Sequence, residues 1–233
     1  MTLQPLLKKE LLQVRRSRGA LLSGILLPLL LMVIMPAFQL AGLRSLPETT
    51  DLGDARRLFT SFLLPLVMAI TGLIVPSVAS TYTVVAEHER RTLELLVALP
   101  VRAGDVLLAK MVAMLALGLG VAVPLFAVDG VAILWLGLGD VGYVLALLLV
   151  LLAALACSVC EALVLGLLAR DLRTTNNLNG ALLAPVTLVM VAILLGAPPV
   201  WRLPGVAAFL AVLAVAAYLC AWRWLTFERY LLA

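Results

Sequence analysis

The chain has 233 residues, of which 64% are hydrophobic and 13% are charged, and its mean hydropathy is +1.15. A soluble domain is nearer half apolar and a quarter charged, so this composition excludes a soluble enzyme and a nucleic-acid-binding module. The net charge of +4 therefore indicates an excess of lysine and arginine on the cytoplasmic loops of a membrane protein.

The first segment, residues 3–18, is too polar to span a membrane. Its apolar residues recur at helical spacing, while its lysines and arginines fall mostly on other faces. This pattern predicts an amphipathic helix that lies in the membrane interface. A positively charged flank of the first span is compatible with the same residues.

Six apolar stretches follow, and they predict six membrane-spanning helices in one all-α domain that covers residues 1–233. The predicted spans are about 20–43, 59–86, 111–128, 141–168, 181–196 and 206–227. The segments between them are predicted to be loops. These are the polar segments 44–58 and 170–180, a short apolar loop at 129–140 bracketed by Asp129 and Asp140, and a proline-rich turn at 197–205.

The distribution of lysine and arginine predicts the orientation of these spans. If the N-terminus lies inside, 13 of the 17 basic residues fall on inside segments and four on outside segments. Cytoplasmic loops carry such an excess, so both ends are predicted to be cytoplasmic.

Residue counts exclude several classes of chemistry. The single histidine, His88, excludes an H-E-x-x-H zinc site and any site with two histidines. The chain has no G-x-x-x-x-G-K-[ST] phosphate loop, so it does not hydrolyse ATP by that route and is not predicted to be an enzyme. The three cysteines lie in apolar stretches, which does not indicate a disulfide framework.

The charged segment EHERRTLELLVALPV, residues 87–101, follows the predicted second span. Glu87 and Glu94 both pair with Arg90 and Arg91 at spacings of three and four, which supports a solvent-exposed helix. Leu93, Leu96 and Val97 form a small apolar face, and Pro100 ends the helix. Such a helix suits a groove on another protein. An ordinary amphipathic connector fits the spacing equally well.

The arrangement of this segment resembles the signature loop of ABC-2 type exporter permeases. The matching pattern is Glu87-x-Glu89-Arg90-x-Thr92-x-Glu94-x-Leu96-x-x-x-Pro100-Val101, with Lys110 ten residues after the proline. The chain also has the preceding amphipathic helix, six predicted spans and small outer loops. It departs from the family pattern at Arg91, where glycine is frequent, and at Arg102-Ala103-Gly104, where serine or threonine often follows Pro-Val.

The resemblance implies a transmembrane subunit in the membrane of a bacterial or archaeal cell. The chain would pair with itself or a related permease, and would export a substrate by using two separate ATP-binding-cassette subunits that bind ATP and Mg. The first and fifth spans would form the dimer contact, and the second and fifth would line the path. The implied coupling residues are Glu87, Glu89, Arg90, Arg91, Thr92, Glu94, Leu96 and Pro100.

Polar residues inside the predicted spans are candidates for the translocation path. The second span is rich in hydroxyls, including Thr71, Ser77 and Thr81, which prefer protein or a wet path to hydrocarbon but can also bond their own helix carbonyls. Glu161 is a candidate substrate or proton contact, because an acidic group within a span is costly. A structural hydrogen bond to another helix is the alternative.

Cys157 and Cys160 form C-x-x-C in the same span. Soft ligands of this type can bind Cu(I). In a continuous helix, however, small apolar residues at a helix contact explain both cysteines better, so no metal site is predicted.

Two other functional classes remain open. A secondary transporter driven by an ion gradient would use Glu161 as its proton site. A non-transporting scaffold or immunity-type subunit would bind partners without moving a substrate.

Overall fold

The computed structural model describes residues 26, 28–34, 36–37, 52–80, 103–168 and 172–224. These ranges contain helices and turns and no strand, so the all-α prediction is confirmed for them. The elements are a π-helical turn at Leu30–Ile34, α1 (Leu52–Leu58), a second π-helical turn at Phe59–Leu63, α2 (Leu64–Ser80), α3 (Ala103–Trp135), α4 (Val141–Leu168), α5 (Leu172–Gly196) and α6 (Pro199–Trp224).

Five helical stretches among the described residues are long and apolar enough to cross a membrane. They are Arg56–Ile74, Lys110–Trp135, Val141–Leu165, Asn177–Gly196 and Pro199–Arg223. This finding agrees with a multi-pass membrane protein. The predicted interfacial helix at 3–18 lies outside the described residues, as does most of the predicted first span, so a count of six spans stays a prediction.

The prediction of a loop at 129–140 is wrong for most of its length. Helix α3 continues through Asp129 to Trp135, and the turn occupies only the residues up to Asp140. Residues 130–135, which follow Asp129, are all uncharged and include no proline, so nothing in this stretch interrupts the helix. The helix ends just before Gly137, whose φ of 61° is a left-handed conformation that glycine adopts without strain.

Two other predicted loops are shorter than expected. Helix α5 begins at Leu172, within the polar segment predicted as a loop at 170–180, because polar residues can occupy the first turns of a helix beyond the hydrocarbon. Similarly, Leu52–Leu58 is helical although 44–58 was predicted to be a loop.

The proline-rich turn at 197–205 is reduced to a break at Ala197 and Pro198. Helix α6 begins at Pro199 and includes Pro204. Proline is favoured at the first position of a helix, where its missing N–H has no helical partner to lose. A hydrogen bond from the Arg202 Nε to the carbonyl of Ala197 closes the break at 3.0 Å.

Helix α4 is the centre of the described bundle and packs most extensively against α6 and α2. Contacts between α1–α2 and α4 keep a nearly constant sequence offset, from Thr60 with Tyr143 to Leu73 with Ser158. The two helices therefore run in the same direction. Because two short reversals separate α4 from α6, α6 also runs parallel to α4, while α3 and α5 run the opposite way.

The ends of the bundle carry exposed tryptophans. Trp201 and Trp222 are 65% and 57% exposed and lie 21 residues apart on α6, which is about 32 Å along a helix. This separation matches a hydrocarbon layer of about 30 Å with aromatic residues at both interfaces. We call the side with Trp135 and Trp201 the Trp135 end, and the side with Lys110 and Trp222 the Lys110 end.

Candidate functional site

The predicted coupling residues, from Glu87 to Pro100, lie outside the described residues. The neighbouring helices nevertheless locate both ends of this segment. Helix α2 runs toward the Lys110 end and is described to Ser80, and α3 starts from that same end at Ala103. Ser80 and Ala103, the described residues on either side of this segment, therefore both lie at the Lys110 end of the bundle.

Thr71, a predicted path residue, lies on α2 and is fully buried. Its hydroxyl donates to the carbonyl of Val67 on the preceding turn at 2.7 Å. Of the two possibilities raised by the sequence, the described geometry shows the bond to its own helix. Ser77 lies within α2, and Thr81 lies outside the described residues.

A second hydroxyl, on Ser158, joins α4 to α2. Ser158 is buried, and its hydroxyl donates to the carbonyl of Leu73. One turn away, Gly72 lets the two helices approach so closely that a methyl group on it would be 2.6 Å from the Cβ of Ala154. Interhelical hydrogen bonds and small residues are the usual contacts of packed membrane helices, so this region is a tight structural contact.

Glu161, the predicted intramembrane acid, lies on α4 toward the Lys110 end. Its side chain is partly buried, and its Oε1 atom is buried without a hydrogen-bond partner. Cys157, one turn earlier, and Cys160, directly before it, belong to the apolar core that α4 shares with α2, α5 and α6. The carboxyl group therefore has one buried oxygen whose hydrogen-bonding capacity is not used.

Asp129 is a second intramembrane acid that the sequence-based prediction assigned to a loop. It lies inside α3, is only 9% exposed, and its Oδ2 atom is buried without a hydrogen-bond partner. Phe126 and Ile133, three residues before and four after it, belong to one apolar core with Leu147 of α4. Their helical spacing with Asp129 is the sequence signal that places this carboxyl group on a buried helix face.

A polar clamp joins the start of the α1–α2 helix to the α3–α4 turn at the Trp135 end. The Arg56 guanidinium donates to the carbonyl of Leu136 at 3.2 Å and also to the carbonyl of Gly137. Leu136 and Gly137 directly follow α3, so Arg56 supplies donors to carbonyls of the turn that have no helical partner. The Asp140 carboxylate accepts the N–H of Tyr143 at 2.8 Å and thereby caps the start of α4.

Tyr143 completes this clamp from the α4 side. Its hydroxyl donates to the carbonyl of Thr60, which lies in the π-helical turn Phe59–Leu63. A π-helical turn disturbs the regular hydrogen-bond ladder, and Tyr143 supplies an additional donor there. The clamp, defined as Arg56, Thr60, Gly137, Asp140 and Tyr143, therefore fixes the α3–α4 turn to the neighbouring helix.

Cys157 and Cys160 are both buried and serve as small residues in the packing of α4. Among the described residues, no group of three or more histidine, cysteine, aspartate or glutamate side chains is placed to hold a metal ion.

Comparison with known proteins gives one family. A family model described as ABC-2 type transporter matches residues 2–203. The match extends from the predicted interfacial helix into α6, and it includes the charged segment between α2 and α3. No curated protein matches the chain.

Proposed function

Because the chain belongs to the ABC-2 type transporter family and is a permease component of a transporter, we propose that it forms the membrane path of an exporter. In this proposal, two copies pair in the cell membrane of a bacterium or archaeon, with their termini in the cytoplasm. A separate ATP-binding-cassette subunit binds ATP and Mg and drives the transport.

The family match over residues 87–100 carries the proposal. In the sequence this segment lies between α2 and α3, whose neighbouring ends are both at the Lys110 end. The excess of basic residues predicts that this side is cytoplasmic. A short charged helix there is well placed to dock in a groove of the ATPase. Glu87, Arg90, Arg91 and Glu94 would fix its orientation, and Leu96 would enter the apolar part of the groove.

Charge reversal at Arg90 and Arg91 tests this docking. We expect R90E/R91E to lose the ATPase in a pull-down from native membranes, because like charges across an interface oppose binding. Transport should fall at least about tenfold, which corresponds to about 1.4 kcal/mol of lost coupling. Mass spectrometry of the co-purified proteins and ATP-driven flux in liposomes measure the two effects.

The matched control is R90K/R91K, which preserves both charges. It should retain most of the bound ATPase, and both variants should show the wild-type melting temperature. Full transport by R90E/R91E would contradict the coupling role.

Helix α5 supports the proposed pairing of two copies. Only 11% of its most apolar 18 residues are buried within one chain, against 50% for α4. Its exposed positions include the small residues Ala181, Ala184 and Ala192, and a Cβ added at Gly180 or Gly196 would meet nothing within 4 Å. Small residues let two membrane helices approach closely, so a second copy can cover this face.

The buried carboxyl groups favour a second candidate function, a secondary transporter driven by protons. Glu161 and Asp129 each have an oxygen without a partner, and acidic groups of this kind also serve in proton relays. The energy source separates the two functions. A proton-driven carrier loses flux with a protonophore and works without ATP, whereas the proposed exporter needs Mg-ATP and tolerates the protonophore.

A further inference from the structure

The ionisable side chains in the interior of the five described spans are all acidic. Arg56, Arg57, Lys110, Arg202 and Arg223 lie at or within a few residues of the span ends. Four or more residues from a span end, the described spans contain only Asp129 and Glu161 as ionisable carboxyl or basic groups, and Glu161 lies four residues before Leu165, the end of its span. A charged solute that passes along the described spans therefore meets two acidic groups and no basic group between those positions, which favours a positive solute and opposes a negative one.

Glu161 lies near the Lys110 boundary of the membrane. It is 20 residues beyond Val141, the start of α4, which is about 30 Å along the helix. Tyr218 is 19 residues beyond the start of the parallel helix α6, so it has nearly the same depth. Tyr218 packs against the core that contains Cys157 and Cys160, which lie one turn and one residue before Glu161 on α4.

An aromatic pair extends this region toward the lipid. The rings of Tyr218 and Trp222 are 6.2 Å apart, and Trp222 is 57% exposed. Aromatic faces attract cations, and the attraction increases when the cation is desolvated. At one depth, a partly exposed acidic side chain and an aromatic pair with an exposed tryptophan together suit a hydrophobic cation that arrives from the adjacent leaflet.

Asp129 lies at the opposite depth. It is six residues before Trp135 on α3, about 9 Å inside the Trp135 boundary. Its free oxygen lies on the same helix face as Phe126 and Ile133. The two acids are therefore near opposite surfaces of the membrane, where a cation would enter and leave the hydrocarbon layer.

We propose that the substrate of this permease is a hydrophobic organic cation, which Glu161 and the Tyr218–Trp222 pair receive at the Lys110 end and which Asp129 stabilises near the Trp135 end. This inference rests on the proposed transport function and adds the chemical class of the substrate. It assigns a binding role to Asp129, Tyr218 and Trp222.

Equilibrium binding with two probes of equal size and opposite charge tests the proposal. Tetraphenylphosphonium and tetraphenylborate are measured separately on the full chain in phosphatidylcholine nanodiscs. We expect saturable binding of the cation and no saturable binding of the anion. E161Q should weaken cation binding by about tenfold or more, because it removes the attraction between the cation and a partly buried carboxylate.

Two of the matched controls remove a carboxylate or a tryptophan elsewhere in the protein, and a third keeps the charge at position 161. D140N removes a carboxylate outside the membrane and preserves the helix cap, since asparagine caps as well as aspartate. W222L should weaken cation binding, whereas W135L, at the opposite end, should weaken it less. E161D keeps the charge and should retain binding. Melting temperatures show whether each variant is folded. If D129N does not fold, the comparison of E161Q with E161D still tests the binding of the cation.

Transport is measured separately, as ATP-driven uptake of tetraphenylphosphonium by the complex with its ATPase in inverted vesicles. Cation binding that depends on Glu161, together with uptake that is lost in D129N, supports the inference. Saturable binding of tetraphenylborate, or equal cation binding by wild type and E161Q, overturns it. ATP-driven export of other solutes without cation binding would overturn this inference alone, whereas Glu161-dependent binding without ATP-driven uptake would overturn the exporter function and leave the cation site established.

Discussion

At Gly72, helices α2 and α4 come so close that no side chain fits between them. A Cβ on Gly72 would lie 2.6 Å from the Cβ of Ala154 and 3.0 Å from the carbonyl oxygen of Leu151. The backbone of α4 cannot give way as the end of a flexible side chain could. This glycine therefore sets the distance between two parallel helices, and the Ser158 hydroxyl bonds to α2 at that distance.

We predict that G72A destabilises the protein by roughly 1–3 kcal/mol, the usual cost of adding a methyl group to a packed contact. Thermal unfolding in detergent measures the effect. The control is G120A, because a Cβ at Gly120 meets nothing within 4 Å. That variant should be as stable as the wild type or more stable by up to about 1 kcal/mol, since alanine has a higher helix propensity than glycine. Equal melting temperatures for the two variants would show that the close contact does not limit stability.

The intramembrane polar residues were only partly predictable from the sequence. Periodicity cannot decide whether a threonine such as Thr71 faces a wet path or bonds its own helix, because the two differ by a side-chain rotation. Glu161 was identifiable because apolar residues surround it in the chain. Asp129 was missed because an acid near glycine also fits the start of a loop, and only packing against α4 shows that it lies on a buried helix face.

At the scale of the elements, the clamp is the clearest link between separate helices. It involves a guanidinium group on two carbonyls at the end of α3 and a tyrosine hydroxyl on a carbonyl of the π-helical turn. A typical hydrogen bond contributes about 0.5–1.5 kcal/mol to stability, and bonds to charged groups contribute more. The α3–α4 turn is therefore stabilised from outside as well as by its own cap.

We predict that R56A and Y143F each accelerate amide hydrogen exchange in residues 136–140, because the turn opens more often once a link to its neighbour is removed. The melting temperature should fall by a few degrees in each variant. R56K is the control, since it keeps the charge and one possible hydrogen bond and should give an intermediate effect. Unchanged exchange in R56A would mean that the Arg56 hydrogen bonds do not limit the opening of the turn.

Helix boundaries were predictable where charge and hydropathy change together. Helix α4 occupies the range predicted for the fourth span, 141–168, which begins directly after Asp140 and ends shortly before Arg170. The limits of α3 and α5 extend beyond the predicted spans, because a helix continues into water or into a protein core after its most apolar stretch ends. Hydropathy indicates where lipid surrounds a helix, and backbone hydrogen bonds decide where it stops.

At the scale of the whole molecule, the uncovered surface of α5 indicates how two copies meet. We predict that a cysteine at Ala184, an exposed position on this helix, forms a disulfide-linked dimer under mild oxidation. The background is C220S, because Cys220 is exposed whereas Cys157 and Cys160 are buried. Gel electrophoresis without reducing agent measures the product.

The control is a cysteine at Val212, which is 67% exposed on α6 and is expected to face lipid. Cross-linking at Val212 that equals or exceeds cross-linking at Ala184 would argue against pairing through α5.

The family was accessible from the sequence, because its most specific residues form a short, local pattern from Glu87 to Pro100. The relation of one helix to another was not. Helices α2 and α4 are parallel and their contacting residues are more than 80 residues apart in the chain. No periodic pattern in the sequence identifies such helices as partners. Their contact depends on Gly72, Ala154 and Ser158, residue types that occur in many membrane helices.

The central position of α4 has a consequence for how the protein is made. During synthesis α4 enters the membrane after α2 but before α6, although α6 provides its most extensive contact. The face of α4 that packs against α6 in the finished protein is therefore without its partner helix until α6 has been inserted. A chain whose synthesis stops before Pro199, the first residue of α6, therefore keeps this face of α4 uncovered.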